Sequence, residues 1–254
     1  MYAAVKKDIG LEDKLASRKG VVDDLKSISA SNVVYDMFEL YEKVVRDCKD
    51  KRSFTYNDMD DLIVETCSNS EINGIISLIK MEEINKRTAI VAGKFVSMLI
   101  QKSFDDGNNN FDIKDCPYID FPYSVSGTET ELLKIKVGGK LSDFVGLECN
   151  YVDMELHGSA KSYCGKSMRN SHLKIYGNVQ GYWFAERCES SIVELHGRLI
   201  DFNALIGKRA KHNIFKTDNK QTLYDFKTYL PKKNRIVFID NGVEEIVRDY
   251  AGSS

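Results

Sequence analysis

The chain has 254 residues, enough for one large or two modest domains, and its formal charge of −2 is too small to point to nucleic acid. No signal-peptide pattern, membrane-length apolar run or lipidation motif is read, because the longest apolar stretch, residues 88–100, is broken by Lys94. Six cysteines without a CxxC pair fit reduced thiols, so a cytoplasmic protein is expected, with no cofactor.

Charge is uneven along the chain. Residues 1–120 hold 17 Lys/Arg against 22 Asp/Glu, and the remainder holds 19 against 16. An acidic half beside a basic half favours intramolecular docking, and solvated surfaces explain it equally well.

The first part reads as helical. Pro is absent before Pro117, and apolar residues recur at helical spacing. Leu11 to Ser27 forms a weak helix interrupted by Gly20. Ser31 or Asn32 caps a helix to about Asp47, with Val34, Met37, Phe38, Tyr41, Val44 and Cys48 on one face. Thr55 starts a short helix whose apolar side is Met59, Leu62, Ile63 and Cys67. Ser70 opens a long helical stretch to about Ser103, and the turn-forming residues 105–110 end it. The expected organisation is a helical bundle over 1–110, then an extended linker or capping strand over 111–131. Residues 132–254 should form a parallel β-helix with a C-terminal cap.

That second part is a repeat of 19–22 residues, with copies starting at Ile135, Met154, Leu173, Val193 and, more loosely, Phe215. Their second positions are Lys136, Glu155, Lys174, Glu194 and Lys216, alternating in sign. Parallel strands stacked about 4.8 Å apart would place each charge beside its opposite. Apolar residues flank each charge, as in a half-buried strand. Gly139, Gly158, Gly177 and Gly197, followed by Asn219, occupy the fifth position, where a corner with positive φ is expected. A second apolar edge follows at Phe144–Gly146, Tyr163–Gly165 and Trp183–Ala185, and a third inward position holds Cys149, Met168 and Cys188. The strict sixes of a left-handed hexapeptide coil are absent, so an α+β chain with a short right-handed parallel β-helix is expected.

Coils 154–172 and 173–192 resemble the glycine-rich β-helix domain found in the glutamate synthase large subunit and, as a subunit, in formylmethanofuran dehydrogenase. The shared elements are Gly177-Asn-Val and Gly158-Ser-Ala, the aromatic-x-Gly/Ala at Tyr163–Gly165 and Trp183–Ala185, and Met168 or Cys188 three residues on. The family follows with a glycine pair where this chain has Asn170-Ser171 and Ser190-Ser191. The resemblance covers about 85 residues. It implies a structural element that contacts other proteins of an assembly, with no catalytic residue.

After Asn219 the repeat decays, and residues 221–230 read as a helix or a ragged coil. Residues 235–247 read as a hairpin turning at Asn241-Gly242. Among candidate binding residues, His157 and His196 occupy one coil position two layers apart, with Tyr176 between. Their separation, near twice the strand spacing, is too wide for one shared metal. The Val137–Lys140 segment lacks the full spacing of a phosphate loop. The basic stretches 208–212 and 232–235 have no aromatic platform beside them in sequence, so they read as solvated and nucleic acid is not expected as a partner. Within Tyr182-Trp183-Phe184 at least one ring should face outward.

The expected function is non-catalytic: a scaffold, assembly factor or subunit that binds a protein partner or another copy, with Tyr176, Tyr182 and Trp183 as contacts beside the charge ladder. The alternatives are a small-metabolite or carbohydrate site around His157, Tyr176 and His196 in an enzyme or enzyme subunit, and end-to-end stacking into filaments. A membrane partner is not expected.

Overall fold

A computed structural model describes residues 32–50, 66–82, 84–201 and 206–250. Among the described residues, three helices, α1 (Asn32–Asp50), α2 (Asn69–Met81) and α3 (Lys86–Asp105), precede a β-solenoid. Its strands are β1 (Asn110–Cys116), β2 (Leu133–Gly139), β3 (Val152–His157), β4 (His172–Ile175), β5 (Val179–Gln180), β6 (Ile192–Leu195), β7 (Leu199–Ile200) and β8 (Ile214–Thr217). Helix α4 (Lys220–Tyr229) and the hairpin β9 (Arg235–Asp240) and β10 (Val243–Arg248) close the chain. One sheet runs β1-β2-β3-β4-β6-β8-β9-β10, parallel except for the antiparallel β9–β10 pair, and β5 pairs with β7 on a second side. The fold is therefore a mixed α+β chain with a β-solenoid. The helices expected over Leu11–Ser27 and from Thr55 lie outside the described residues.

The single long helix read from Ser70 to Ser103 is two helices. Ser68 caps α2 in a reciprocal box with Glu71, and Asn85 caps α3 by accepting from the Arg87 and Thr88 amides. Glu82 is extended, which ends α2 before the new cap begins. Helical apolar spacing runs across both segments, so periodicity alone does not show the break.

Helix α2 lies against β1, which opens the segment 111–131 read as an extended linker or capping strand. The Asn69 and Asn73 carboxamide oxygens accept from the Asp112 and Lys114 amides, both at 3.0 Å, and Asn73 Nδ2 donates to the Asp112 carbonyl at 2.8 Å. Side chains thus satisfy the outer edge of the first coil, which would otherwise be open to strand addition. Helix α3 approaches so closely that a Cβ on Gly93 would lie 1.8 Å from the Asp120 carbonyl oxygen. One buried cluster runs from Val34 to Ile236 through helices and coils.

The corner glycines require a correction. Of Gly139, Gly158, Gly177 and Gly197, only Gly139 has positive φ. The next three are needed for another reason: a Cβ on Gly158 would stand 1.6 Å from the Gly139 oxygen, one on Gly177 2.2 Å from the Gly158 oxygen, and one on Gly197 2.1 Å from the Gly177 oxygen. Backbones stack there without room for a side chain. The left-handed residues are elsewhere. Ser124, Glu148, Ser167, Arg187 and Arg209 share φ of 51–62° at one coil position, and Phe144, Tyr163 and Trp183 share 63–64° at another. Asn170 and Ser190 are left-handed too.

Inside the coils runs a polar ladder. Ser171 Oγ accepts from the Val152 amide, Ser191 Oγ from the Ser171 amide, and Asn213 Oδ1 from the Ser191 amide, at 3.0, 3.2 and 2.9 Å. Asn213 Nδ2 donates to the Cys188 carbonyl at 2.8 Å and to Asn234 Oδ1 at 2.9 Å. Asn213 and Asn234 are fully buried. At the far end, Phe226 of α4 packs on Phe184 and Phe215 and covers the core.

Candidate functional site

Alternation along the strands sends every second side chain outward, and parallel stacking lines these up in columns. The middle column reads Asp112, Lys136, Glu155, Lys174, Glu194 and Lys216, each the register partner of the next. The five residues of the sequence ladder stand in it, with Asp112 added at the helical end. Val237 interrupts it on β9, and Glu244 of β10 takes the ion pair with Lys216 instead.

The next column holds His157, Tyr176 and His196 in one stack. Ring centroids are 4.6 Å apart for His157–Tyr176 and 5.0 Å for Tyr176–His196, with interplanar angles of 25° and 9°. Tyr176 is 41% exposed. Its hydroxyl donates to Glu155 Oε1 at 2.7 Å, and His157 Nε2 lies 3.2 Å from the other Glu155 oxygen. The phenol hydrogen bond, followed by His157, holds the Glu155 carboxyl below its ordinary range, and the same bond raises the Tyr176 phenol. Lys174 Nζ sits 5.2 Å from the Tyr176 ring centre.

Toward the other end the face closes around Glu194, which is nearly buried. His196 Nε2 is 2.7 Å and Lys174 Nζ 3.1 Å from Glu194 Oε1, and His172 Nε2 is 3.7 Å from Oε2. Asp153 contacts His172 Nδ1 at 3.2 Å, and Asp218 contacts His196 Nδ1 at 2.7 Å. His172, then Lys174 and His196, hold the Glu194 carboxyl down at about 2. Asp153, then Glu194, raise the His172 imidazolium to about 9. Read along the sequence, His172, Asp153 and Asp218 have no assigned role. Their signal lies in the register, which puts His172 diagonal to Glu194 once the columns are set.

This pairing has a signed pH consequence. His172 is raised in the fold, so its contribution is complete below about pH 6.5 and is lost as pH rises through about 9. Glu194 is depressed, so its contribution is complete above about pH 4.5 and is lost as pH falls through about 2. Urea unfolding should show on the order of 1–2 kcal/mol more stability near pH ~6 than near pH ~9.5, after allowance for solvent screening. His172→Gln should flatten that alkaline limb; an unchanged slope would remove His172 as its source.

Tyr182, 47% exposed, and half-buried Trp183 lie beyond the short side made by β5, around the coil from the stack. In sequence these aromatics and Tyr176 read as one set of contacts; the coil places them on different sides. A cleft of about 220 Å³ on the β5–β7 side is lined by Tyr118, Lys140, Lys161 and Ile200 among others, and His157, Tyr176 and His196 do not line it. Among the described residues, no group of three or more His, Cys, Asp or Glu side chains is placed to hold a metal ion. Cys149 and Cys188 are buried thiols that burial pushes up to about 12, separated in the core by Met168. No helix among the described residues is long and apolar enough to cross a membrane.

Comparison with protein families, curated proteins and solved structures finds no match to this chain.

Proposed function

We propose that the chain is a non-catalytic scaffold or subunit that binds a partner protein through the outward sheet face, with Tyr176 as its anchor. The observation that carries this reading is the His157–Tyr176–His196 stack, whose exposed central ring is fixed by a hydrogen bond to Glu155. A rigid aromatic set among satisfied charges loses little side-chain entropy when a partner covers it. The carboxylates here are held by neighbours: Glu155 by Tyr176 and His157, and Glu194 by His172, Lys174 and His196. Such pairing suits a contact surface better than acid–base work.

On this reading α1–α3 form a bundle-like cap on a right-handed β-helix of the glycine-rich type. The stacked Gly139, Gly158 and Gly177 and the Tyr163 and Trp183 corners support that likeness. A cytoplasmic location belongs to the same reading, supported by the buried thiols of Cys116, Cys149, Cys164 and Cys188. End-to-end filaments have less support, because α2 occupies the β1 edge and α4 covers the opposite core.

Tagged wild type, Tyr176→Ala and Tyr224→Ala should be compared by affinity purification from the native cell; Tyr224 is an exposed control on α4. Recovery of the partner should fall at least about tenfold for Tyr176→Ala alone, with the unfolding midpoint unchanged. Equal recovery by all three would overturn the reading.

A further inference from the structure

The turn side of the solenoid, opposite in character to the neutralised sheet face, gathers positive charge that the linear sequence disperses. Residues 144–151, 163–170, 183–190, 206–213 and 230–234 carry eight Lys/Arg against three Glu, in a chain whose total charge is −2. Backbone pairing makes them neighbours: the Arg187 amide donates to the Lys208 carbonyl at 2.9 Å, Ser190 to Lys211 at 3.3 Å, and His212 to Lys233 at 2.9 Å. Two of the three carboxylates are already engaged. Glu186 is buried against Lys166 at 3.1 Å, and Glu189 pairs with Lys211 at 2.8 Å. Lys208, Arg209, Lys232 and Lys233 are exposed and form no ion pair with a described carboxylate.

The aromatic platform missing beside the basic stretch in sequence is supplied by the coil before it. Lys208 Nζ lies 4.8 Å from the centre of the Trp183 ring, and Lys166 Nζ lies 5.0 Å from that of Tyr163, one coil further back. Tyr163 is itself stacked on Phe144 at 4.8 Å. The shared left-handed backbone at Phe144, Tyr163 and Trp183 repeats this corner from coil to coil. Cations interleaved with rings along a repeating edge are what a single-stranded nucleic acid requires, with phosphates on the cations and bases on the rings.

We infer that this edge binds single-stranded nucleic acid, with Lys208, Arg209, Lys232 and Lys233 on phosphates. A base replaces the Lys208 ammonium over Trp183. A membrane fits less well, because Trp183 is set into the corner rather than projecting as an insertion anchor. An acidic peptide offers charge without a flat group for the ring. The inference concerns a different side of the coil from Tyr176 and stands or falls separately from the protein-binding reading.

Trp183 is the only tryptophan in the chain, so its fluorescence reports this corner alone. The intact chain should be titrated with a labelled oligouridylate of roughly 12 nucleotides, the scale of one single-strand site, following both anisotropy and tryptophan emission. Binding should quench Trp183 and weaken with salt at a log–log slope of about −3, the release expected for about four phosphates. Lys208→Glu with Arg209→Glu should cost at least about tenfold in affinity. Lys43→Glu, an exposed change on α1, should cost nothing. Absence of binding at about 50 mM salt, or binding without quenching, would overturn the inference. So would equal or tighter binding of a polyglutamate peptide or of phosphatidylserine vesicles, which would reassign the surface to an acidic protein or a membrane.

Discussion

Replacing Asn213 by Leu is expected to destabilise the chain by on the order of 3–5 kcal/mol, although the two side chains branch alike and have the same number of heavy atoms. Asn213 is fully buried and serves three neighbours at once: it accepts from the Ser191 amide and donates to the Cys188 carbonyl and to Asn234 Oδ1. Leu would leave the buried Ser191 amide without a partner, at about 1–3 kcal/mol, and would strip one bond each from Asn234 Oδ1 and from the Cys188 carbonyl, which keeps the Lys211 amide at 3.1 Å. Asn234 would lose part of its own network, because its oxygen would keep only the Asn213 backbone amide at 3.2 Å and not the Asn213 Nδ2 donor at 2.9 Å. Combining Asn213→Leu with Asn234→Leu should therefore cost less than the separate losses added together. Urea unfolding of the single and double variants measures this. A loss under about 1 kcal/mol for Asn213→Leu would mean that water or a shifted backbone replaces the ladder.

Gly158→Ala should be the most damaging single methyl in the solenoid. Its Cβ would fall 1.6 Å from the Gly139 carbonyl oxygen, a backbone atom that cannot swing away as a side chain can. The coils would have to separate locally, for a cost of about 3 kcal/mol or more. Gly107→Ala supplies the contrast. Gly107 has φ of 95° with nothing within 4 Å of an added Cβ, so only backbone strain of about 1–2 kcal/mol is expected. If both substitutions cost the same in denaturant midpoint, the coil stacking at Gly158 is looser than these distances require.

These two sites also separate what was legible in the sequence from what was not. The charge column could be read because alternation in sign has a physical meaning only if Lys136, Glu155, Lys174, Glu194 and Lys216 are neighbours, and the strands pair in that register. The glycines were visible but their reason was not. Glycine answers both a need for positive φ and a need for empty space, and one sequence does not distinguish them. The left-handed corners were hidden for the opposite reason. Tyr163 and Trp183 are strand-favouring residues, held at φ of 63° and 64° by the coil rather than by local preference. The internal ladder was masked because Ser191, Asn213 and Asn234 have the composition of turns. Only the coil turns those side chains inward. The His157–Tyr176–His196 stack could be anticipated from spacing, whereas the pairing of His172 with its register partner Asp153 and its diagonal neighbour Glu194 needs the neighbouring columns to be set first.

The alternating column also imposes a parity rule on how this molecule can change length. Excising one coil, residues 154–172, would bring Lys136 beside Lys174 and leave two ammonium groups facing each other across adjacent strands. Excising two, residues 154–192, would restore opposite signs by placing Lys136 next to Glu194. Insertions obey the same arithmetic. A lineage or a designer lengthening this solenoid should therefore find even numbers of coils far easier to accommodate than odd ones.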